Sequence, residues 1–407
     1  MSQPHHIHVA IIGGGIGGVV LAIALSKFSH ITFTIYESRG AYGEIGAGVG
    51  FSSNAHQAMK LIDPRILESY LSIASFNGWD EKQNVWFDFT VGEKGGNEGK
   101  RIAEVKLEEH GDFPYTTTTC HRAHFLDALI GLLPEGVSRF NKKLVSIWQG
   151  DEKVTCRFSD GTEEEADLVV GCDGIRSVTR RFVVSDPKLA IPQFTGKLAY
   201  RGLVPMKAAE EALGKEYAFA HGTLMNVVAL HSSPHDTWTG DWVQPLQEEN
   251  VRTAFDGAQW GSNVQKIMQL LKVADVWALF HHPKTPSFHK GRLCLLGDAA
   301  HATSPHYGQG ACMAIEDAYI LSNLLSKCTS QTDILKALGA YDSVRVPRTS
   351  RIVAGSFAQG RRLDLQDADT GDDLEKLAQA LDTGARWIWH VDLKAELAKA
   401  MKEFQEV

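Results

Sequence analysis

A glycine-rich turn close to the start of the chain, Gly13-x-Gly15-x-x-Gly18, constrains the fold more than any other feature. An apolar stretch of β-forming residues leads into this turn, a helical apolar pattern follows it, and a second strand pattern then ends on Glu37. Glycines allow the tight turn and a close approach of the backbone to a pyrophosphate, while the helix N-terminus offers free N–H groups. An acid at this spacing can hold a ribose hydroxyl. The sequence therefore predicts a βαβ unit that binds a dinucleotide.

Composition and charge limit the classes of protein to which the chain can belong. The chain has 407 residues, enough for two domains, and its net charge of −8 without a basic stripe argues against a nucleic-acid partner. No stretch approaches the roughly 20 continuous apolar residues of a membrane span, and the N-terminus lacks the pattern of a secretory signal. The six cysteines are scattered without a CxxC pair. This pattern favours free thiols, no metal centre and a cytoplasmic location.

The order of the patterns along the chain predicts a discontinuous nucleotide-binding domain with an inserted β-sheet domain. Strand patterns occur at 200–204, 217–220 and 227–231, and two alternating stretches flank the turn-rich segment 92–99 as in a β-hairpin. These β-rich stretches lie between segments whose patterns are typical of a nucleotide-binding domain. We predict that residues 1–75, 116–182 and 288–365 form the nucleotide-binding domain, 76–115 and 183–287 the β-sheet substrate domain, and 366–407 a helical C-terminal segment.

Three further segments narrow the dinucleotide to FAD. One apolar strand pattern ends on Asp173-Gly174 before a basic segment. Another ends on Gly297-Asp298, whose carboxylate can accept hydrogen bonds from a ribityl chain. The run from Gly308 to Ala311 then opens an apolar helix. Its glycines permit close approach to a flat ring, and the helix N-terminus can stabilise negative charge on a reduced flavin.

These motifs, in this order, resemble those of the class A flavoprotein aromatic hydroxylases, and within that family the closest resemblance is to salicylate hydroxylase and its fungal relatives. The resemblance covers roughly residues 7 to 360, and the three motifs together are far more specific than the glycine turn alone. It implies the α/β fold of p-hydroxybenzoate hydroxylase. That fold has a Rossmann-like FAD-binding domain built from separated segments, an inserted β-sheet substrate domain and, here, a helical C-terminal tail.

The resemblance also implies which residues bind FAD. The glycine turn would cradle the pyrophosphate, and Glu37 would bind the adenosine ribose. The other expected cofactor contacts are Gly48 and Gly50 in the segment 44–50 beside the flavin ring, Arg122, Asp173, Asp298, Gly310 and Ala311. Two of these have plainer alternatives: Arg122 can cap or pair at a surface, and Asp173 can be a turn residue before a glycine.

On the substrate side, the resemblance points to Arg201, His231 and Pro305. Arg201 lies on a strand pattern similar to the family strand whose arginine faces the substrate, where a guanidinium can hold a carboxylate or stabilise a phenolate. The alternative is a strand arginine that is paired at the domain interface. Relatives often show a His-Tyr-Pro run on the following strand, but residues 228–232 of this chain lack that tyrosine. His231 is the expected acid or base in its place, with a structural histidine as the alternative. The carbonyl of Pro305 is expected to contact the substrate.

The function implied by the resemblance is FAD-dependent hydroxylation of an electron-rich phenol or hydroxybenzoate with NADH or NADPH and O2, through a C4a-hydroperoxyflavin. Where the attacked carbon carries a carboxylate, salicylate would become catechol. FAD is expected to be non-covalent, and the chain to be a monomer or homodimer that binds a small aromatic substrate. Open alternatives are a dearomatising hydroxylase of fungal polyketide metabolism, a hydroxynicotinate-type hydroxylase, a halogenase or dehydrogenase, and a non-catalytic FAD-binding protein.

Overall fold

The computed structural model describes residues 6–43, 48–107, 118–214, 223–245, 255, 259–271 and 275–406. Its strands, in chain order, are β1 (Ile7–Ile12), β2 (Ile31–Tyr36), β3 (Gly48–Phe51), β4 (Ser75–Phe76), β5 (Val85–Thr90), β6 (Arg101–Lys106), β7 (Thr118–His121), β8 (Ser138–Arg139), β9 (Leu144–Gln149), β10 (Val154–Phe158), β11 (Glu163–Ala166), β12 (Leu168–Gly171), β13 (Gln193–Pro205), β14 (Leu224–Ser232), β15 (Val243–Pro245), β16 (Asp275–His281), β17 (His289–Lys290) and β18 (Leu293–Leu295).

The helices connect and cover these strands. In chain order they are α1 (Ile16–Leu25), α2 (Ser53–Ile62), α3 (Pro64–Leu71), α4 (Arg122–Ile130), α5 (Arg180–Val183), α6 (Pro187–Ala190), α7 (Met206–Leu213), α8 (Ser262–Leu270), α9 (Asp298–His301), α10 (Gly310–Leu325), α11 (Gln331–Leu363), α12 (Leu374–Gly384), α13 (Arg386–Trp389) and α14 (Leu393–Glu406), with 3-10 helices at Asp80–Lys82 and Pro305–Tyr307.

A six-stranded sheet with the order β17-β18-β12-β1-β2-β8 forms the centre of the nucleotide-binding part. β1 runs parallel to β2 and β12, and β12 runs parallel to β18, while the edge strand β17 is antiparallel to β18. The continuous apolar sequence of β12 suits a strand that is buried on both faces. The six strands come from within the three segments predicted for the nucleotide-binding domain. The predicted α/β class is confirmed, and the domain boundaries stay a prediction.

A second, four-stranded antiparallel sheet has the order β14-β13-β16-β15. An apolar cluster with residues of α7 and α8 covers one face, to which Tyr200, Val204 and Val227 contribute. Because side chains alternate along a strand, Arg201 and its cross-strand partner Val228 point to the other face. We call this other face the open face. It carries Lys197, Ala199 and Arg201 of β13 and Asn226, Val228, Leu230 and Ser232 of β14.

The hairpin and the C-terminal helices also form as predicted. β5 and β6 pair antiparallel on either side of the segment 92–99, whereas the strand pattern at 217–220 lies outside the described residues. In the C-terminal segment the aromatic cluster serves packing. Trp389 is buried, and Trp387 stacks against Arg351 with 3.8 Å between the ring centre and the guanidinium carbon. None of the described helices combines the length and apolar character that a bilayer crossing requires.

Candidate active site

The glycine turn joins β1 to α1 and leaves no room for side chains. Gly13 has a φ of +108°, and a Cβ there would lie 2.4 Å from the carbonyl oxygen of Cys172. A Cβ on Gly18 would lie 2.1 Å from the carbonyl oxygen of Gly13. Gly15 is the N-cap of α1, and no side chain caps this helix. The first N–H groups of α1 therefore remain available to an anion such as a pyrophosphate.

Glu37 lies at the mouth of this turn. Its Oε2 accepts a hydrogen bond of 2.8 Å from the N–H of Gly14, and its Oε1 accepts one of 2.9 Å from the N–H of Arg39. Glu37 directly follows β2, so the parallel pairing of β1 with β2 brings the carboxylate beside the glycines. A ribose-binding acid requires this position.

In the segment 44–50, which is expected to lie beside the flavin ring, the residues from Gly48 onward form a strand. Gly48 and Gly50 belong to β3, which pairs antiparallel with β7, while residues 44–47 lie outside the described residues. A Cβ on Gly50 would lie 3.8 Å from the Trp86 ring, and a Cβ on Gly308 would lie 3.9 Å from the same ring. Trp86 therefore bridges the two glycine segments that the sequence assigns to the flavin.

Asp298 and the N-terminus of α10 face each other. A Cβ on Gly310 would lie 3.6 Å from Oδ1 of Asp298. Within the described part of the chain, the half-buried carboxylate of Asp298 makes no hydrogen bond or ion pair. Helix α10 begins without a side-chain cap, and Ala311 lies in its first turn. A free carboxylate beside free N–H groups provides an acceptor and donors for a polar cofactor chain.

A buried carboxylate, Asp317 of α10, holds the turn that carries Asp298. Asp317 is 0% exposed and accepts hydrogen bonds from the N–H of Gly297 at 3.0 Å and from His301 at 2.6 Å. It also pairs with the guanidinium of Arg345 at 2.7 Å. Burial alone would raise the pKa of Asp317, but His301 and Arg345 lower this pKa to about 2. The ionised carboxylate therefore fixes the backbone immediately before Asp298.

A second buried carboxylate, Glu316, ties the start of α10 to α11 and α2. It pairs with Arg345 and Arg348 of α11 at 2.7 Å, and it accepts a hydrogen bond of 2.8 Å from Asn54 of α2. Asn54 in turn donates to Gln309, the N-cap of α10, at 3.2 Å. The sequence motifs do not predict this network. Its signal was a Glu-Asp pair inside an otherwise apolar helix, followed by two arginines three residues apart in the next helix.

The carboxylate of Asp173 accepts hydrogen bonds from residues of its own loop. It accepts hydrogen bonds from the Ser177 hydroxyl at 2.6 Å and from the N–H groups of Val178 and Thr179 at 2.7 and 3.0 Å. The backbone of Asp173 lies against the glycine turn, since a Cβ on Gly13 would lie 3.1 Å from its Cα. This geometry favours the plainer interpretation, in which Asp173 is a turn residue that supports the glycine turn.

Arg201 lies on the open face of the four-stranded sheet. The segments that are expected to lie beside the flavin pack near this face. The guanidinium carbon of Arg201 is 5.2 Å from the ring centre of Trp277, and the guanidinium has no hydrogen bond or ion pair with any described residue. A Cβ on Gly48 would lie 3.4 Å from the side-chain nitrogen of Asn226, so β3 packs over the same face. Burial and the nearby charge of Arg122 lower the pKa of Arg201, whereas the charge of Asp275, its cross-strand partner in β16, raises this pKa. Because the effect of Arg122 is the larger of the two, this partly buried site favours an anionic ligand.

Arg122 and Pro305 approach the open face from opposite ends. Arg122 begins α4 immediately after β7, whose His121 pairs with Gly48 of β3. Pro305 opens the 3-10 helix before α10, and the next residue, His306, lines a cavity together with residues from the far end of the open face. The segments expected to contact FAD thus flank this face on both sides.

His231 does not share a face with Arg201, which corrects the expectation that it acts there as an acid or base. The strand pairing sets His231 opposite Leu198, and Leu198 packs in the apolar cluster on the covered face. The His231 ring lies 5.8 Å from the Phe255 ring of that cluster, and burial lowers the pKa of His231. Because side chains alternate along β14, the open face receives Asn226, Val228, Leu230 and Ser232 instead.

The residues present fit FAD. The two uncapped helix N-termini, the turn without room for a Cβ and the Asp298 carboxylate, which has no partner among the described residues, suit a cofactor with a pyrophosphate, a polyol chain and a flat ring. Glu37 adds the acceptor for a ribose hydroxyl. Over the residues that the structure describes, no group of three or more His, Cys, Asp or Glu side chains could hold a metal ion.

Comparison with known proteins gives matches along the whole chain. A family model described as FAD binding domain matches residues 134–356. The chain is 35% identical to 6-methylsalicylate 1-monooxygenase atA of Aspergillus terreus, with 100% of this chain and 94% of that protein aligned. It is 34% identical to a salicylate hydroxylase of Pseudomonas putida, over 97% of this chain and 94% of that protein. A solved salicylate hydroxylase substrate complex superposes with a TM-score of 0.85 at 31% identity, covering 97% of this chain and 98% of that chain.

Proposed function

Because the chain belongs to the family of FAD-dependent monooxygenases related to salicylate hydroxylase, we propose that it hydroxylates a phenolic or hydroxybenzoate ring held on the open face. FAD is the cofactor of this family, and NAD(P)H and O2 are its usual co-substrates. The observation that carries the proposal is the half-buried guanidinium of Arg201, which lacks a hydrogen-bond or ion-pair partner among the described residues. A cation in such a position calls for an anionic ligand.

The contribution of the protein is to bind, orient and desolvate the substrate. When bound, FAD supplies the redox chemistry that activates O2 for transfer of one oxygen atom to an aromatic ring. Arg201 stabilises a phenolate, and the negative charge on that oxygen makes the ring carbons more nucleophilic. Val228 and Leu230 of the open face offer an apolar floor that excludes water. A carboxylate on the attacked carbon leaves as CO2, so that a salicylate gives a catechol.

The proposed activity is tested with a panel of hydroxybenzoates and phenols. The FAD-loaded protein should oxidise NAD(P)H and consume O2 faster when the correct ring is present, and the product should carry one added oxygen atom by mass. The names of the two relatives, both salicylate-type enzymes, support hydroxybenzoates as the first compounds in the panel. A flavin-loaded protein whose NAD(P)H oxidation responds to no aromatic compound would rule out this function.

The first variant to examine is Arg201→Ala. Loss of one charge-assisted hydrogen bond should raise the KM for the aromatic substrate by about 10- to 100-fold. FAD occupancy should not change, because Arg201 is not among the residues expected to contact FAD. Arg181→Ala, which removes an exposed arginine of α5, is the matched control and should leave KM unaltered. Unchanged kinetics in Arg201→Ala would remove this residue from the substrate site.

The Asp298→Ala variant tests the cofactor side. It removes the carboxylate that faces the N-terminus of α10, and it should lower FAD affinity by about 10-fold or more because a charge-assisted hydrogen bond to the cofactor chain is lost. The ratio of absorbance at 450 nm to that at 280 nm, read on the purified protein, measures flavin content. Asp372→Ala is the control because Asp372 is exposed. Full flavin occupancy in Asp298→Ala would refute the assigned role.

The cellular location is also part of the proposal. All six cysteines are free thiols, and five of them are buried. Free thiols favour a reducing compartment, so the proposed location is the cytoplasm.

A further inference from the structure

A short loop between α9 and α10 packs against helix α11. It comprises residues 304–307 and includes Pro305, whose carbonyl is expected to contact the substrate. We call this segment the proline loop. His306 of the loop lines a cavity of about 330 Å³ at one end of the open face, whereas Ser304 and Tyr307 are buried. The position of the loop therefore depends on the contacts of its buried residues.

One buried hydroxyl of α11, that of Ser356, makes three hydrogen bonds to the proline loop. It donates to the carbonyl oxygen of Ser304 at 2.7 Å, and it accepts from the Ser304 hydroxyl and from the N–H of Tyr307, each at 3.2 Å. A hydroxyl has one O–H donor and two acceptor lone pairs, so its hydrogen-bonding capacity is fully used. The two residues that it holds lie on either side of Pro305 in the chain.

Two glycines of α11 make room for the side chains of the proline loop. A Cβ on Gly355 would lie 2.7 Å from the Tyr307 ring, and a Cβ on Gly360 would lie 2.5 Å from the His306 ring. Glycine within a helix is less favourable than alanine, so a helix former would otherwise be expected at both positions. The close approach of the loop gives the physical reason for these glycines.

The carbonyl of Pro305 is held by the same arrangement. Its oxygen accepts a hydrogen bond of 2.9 Å from the N–H of Gly308, which follows the loop. A carbonyl oxygen has two lone pairs, so a second donor, such as a ligand, can also bind there. Ser356 is fully buried and cannot touch a ligand on the open face. It can act on a ligand only through the loop.

We propose that Ser356 is a positioning residue, whose hydroxyl holds the proline loop and the Pro305 carbonyl where the substrate ring is hydroxylated. The inference rests on the proposed hydroxylase function and on the expected contact of Pro305 with the substrate. A misplaced ring accepts oxygen more slowly, and loss of hydrogen peroxide then competes. In that case the two electrons of NAD(P)H and one O2 give hydrogen peroxide instead of hydroxylated product and water. Ser356 should therefore control the amount of product formed per NAD(P)H.

Ser356→Ala tests this role, because it leaves the buried N–H of Tyr307 without its acceptor. The probe is the compound of the phenol and hydroxybenzoate panel that the wild type hydroxylates fastest. Product per NAD(P)H should fall by about threefold or more, and hydrogen peroxide should account for the difference. The dissociation constant of the probe, read from flavin absorbance without NAD(P)H, should rise by about 3- to 10-fold, the range for one neutral hydrogen bond.

Ser343→Ala is the matched control for this variant. Ser343 is a half-buried serine of the same helix, and its hydroxyl donates to the carbonyl of Ala340 within that helix at 2.8 Å. Its removal should change neither the product per NAD(P)H nor the binding of the probe. Ser356→Ala could also lower the urea midpoint, but a purely structural role would leave the product formed per NAD(P)H by the folded protein unchanged.

Gly360→Ala tests the packing of the loop without removal of a hydrogen bond. The added Cβ would meet the His306 ring, so the loop must shift and product per NAD(P)H should fall as in Ser356→Ala. In a His306→Ala protein, which lacks that ring, the same Gly360→Ala change should have no further effect. Gly339→Ala, also in α11, is the control because no atom lies within 4 Å of a Cβ there.

The inference is overturned if Ser356→Ala forms as much product per NAD(P)H as the wild type. It is also overturned if Gly360→Ala has no effect, or an equal effect with and without the His306 ring. In each of these cases the wild type still hydroxylates the probe, so the proposed function stands. A wild-type protein that hydroxylates no compound of the panel would instead contradict the proposed function itself.

Discussion

Substitution of methionine for Arg345 is expected to lower the free energy of unfolding by about 3–5 kcal/mol, the range observed when one partner of a buried ion pair is removed. Arg345, Glu316 and Asp317 are all 0% exposed, and the guanidinium contacts both carboxylates at 2.7 Å. Methionine is apolar and flexible, so it fills much of the vacated space while leaving the carboxylates short of a partner. Urea unfolding at a fixed FAD concentration measures the change, because bound FAD itself adds stability.

The pH dependence of unfolding gives a second measurement of the same network. The pKa of Asp317 in the folded protein is about 2, below the ordinary value of 3.8, because His301 and Arg345 outweigh the effect of burial. A depressed carboxyl pKa stabilises the folded state above about pH 4, and this contribution is lost as the pH falls toward 2. In Arg345→Met the pKa of Asp317 should rise, so the loss of stability on the acid side should become smaller.

Two further variants control this experiment. Lys207→Met removes an exposed lysine that pairs with the exposed Glu211 in α7, and exposed pairs of this kind contribute little, so the urea midpoint should not move. Arg345→Met combined with Asp317→Asn should recover part of the lost stability, because Glu316 keeps its pair with Arg348 and no second carboxylate is left unpaired. An Arg345→Met protein as stable as the wild type would contradict a stabilising role for the network.

The parts of the site that could be predicted depend on short stretches of sequence. The glycine turn, Glu37 and the Asp298 turn each combine the end of an apolar strand with the start of a helix or loop. In a parallel sheet those strand ends meet at one edge, so local patterns suffice to bring the cofactor-binding residues together. The apolar helix after Gly310 could be predicted for the same reason.

The parts that could not be predicted depend on which face of an element meets which neighbour. The sequence predicts His231 in the site because it lies on the strand where relatives carry a tyrosine and its residue type suits proton transfer, yet the register of β14 turns it toward the apolar cluster. The partners of Asp317 come from α9 with its N-cap and from α11, and no local pattern specifies that these segments meet.

Gly13→Ala is expected to raise the dissociation constant of FAD by about 100-fold or more, equivalent to roughly 3 kcal/mol. Alanine at the φ of +108° found here would strain the backbone by about 1–3 kcal/mol. Its Cβ would also lie 2.4 Å from the carbonyl oxygen of Cys172, a backbone atom that cannot rotate away. The turn must therefore shift, and the shift moves the N–H groups of α1 away from the pyrophosphate, which they bind through hydrogen bonds and the helix dipole.

Titration of the apoprotein with FAD, followed by quenching of flavin fluorescence, measures this loss. Gly136→Ala is the matched control, because Gly136 has a comparable φ of +75° but no atom within 4 Å of a Cβ. It should reproduce backbone strain without the collision and leave FAD affinity unchanged. The circular dichroism of both apoproteins checks that they fold. If a folded Gly13→Ala protein bound FAD as tightly as the wild type, the pyrophosphate would not bind at this turn, because the substitution forces the turn to move.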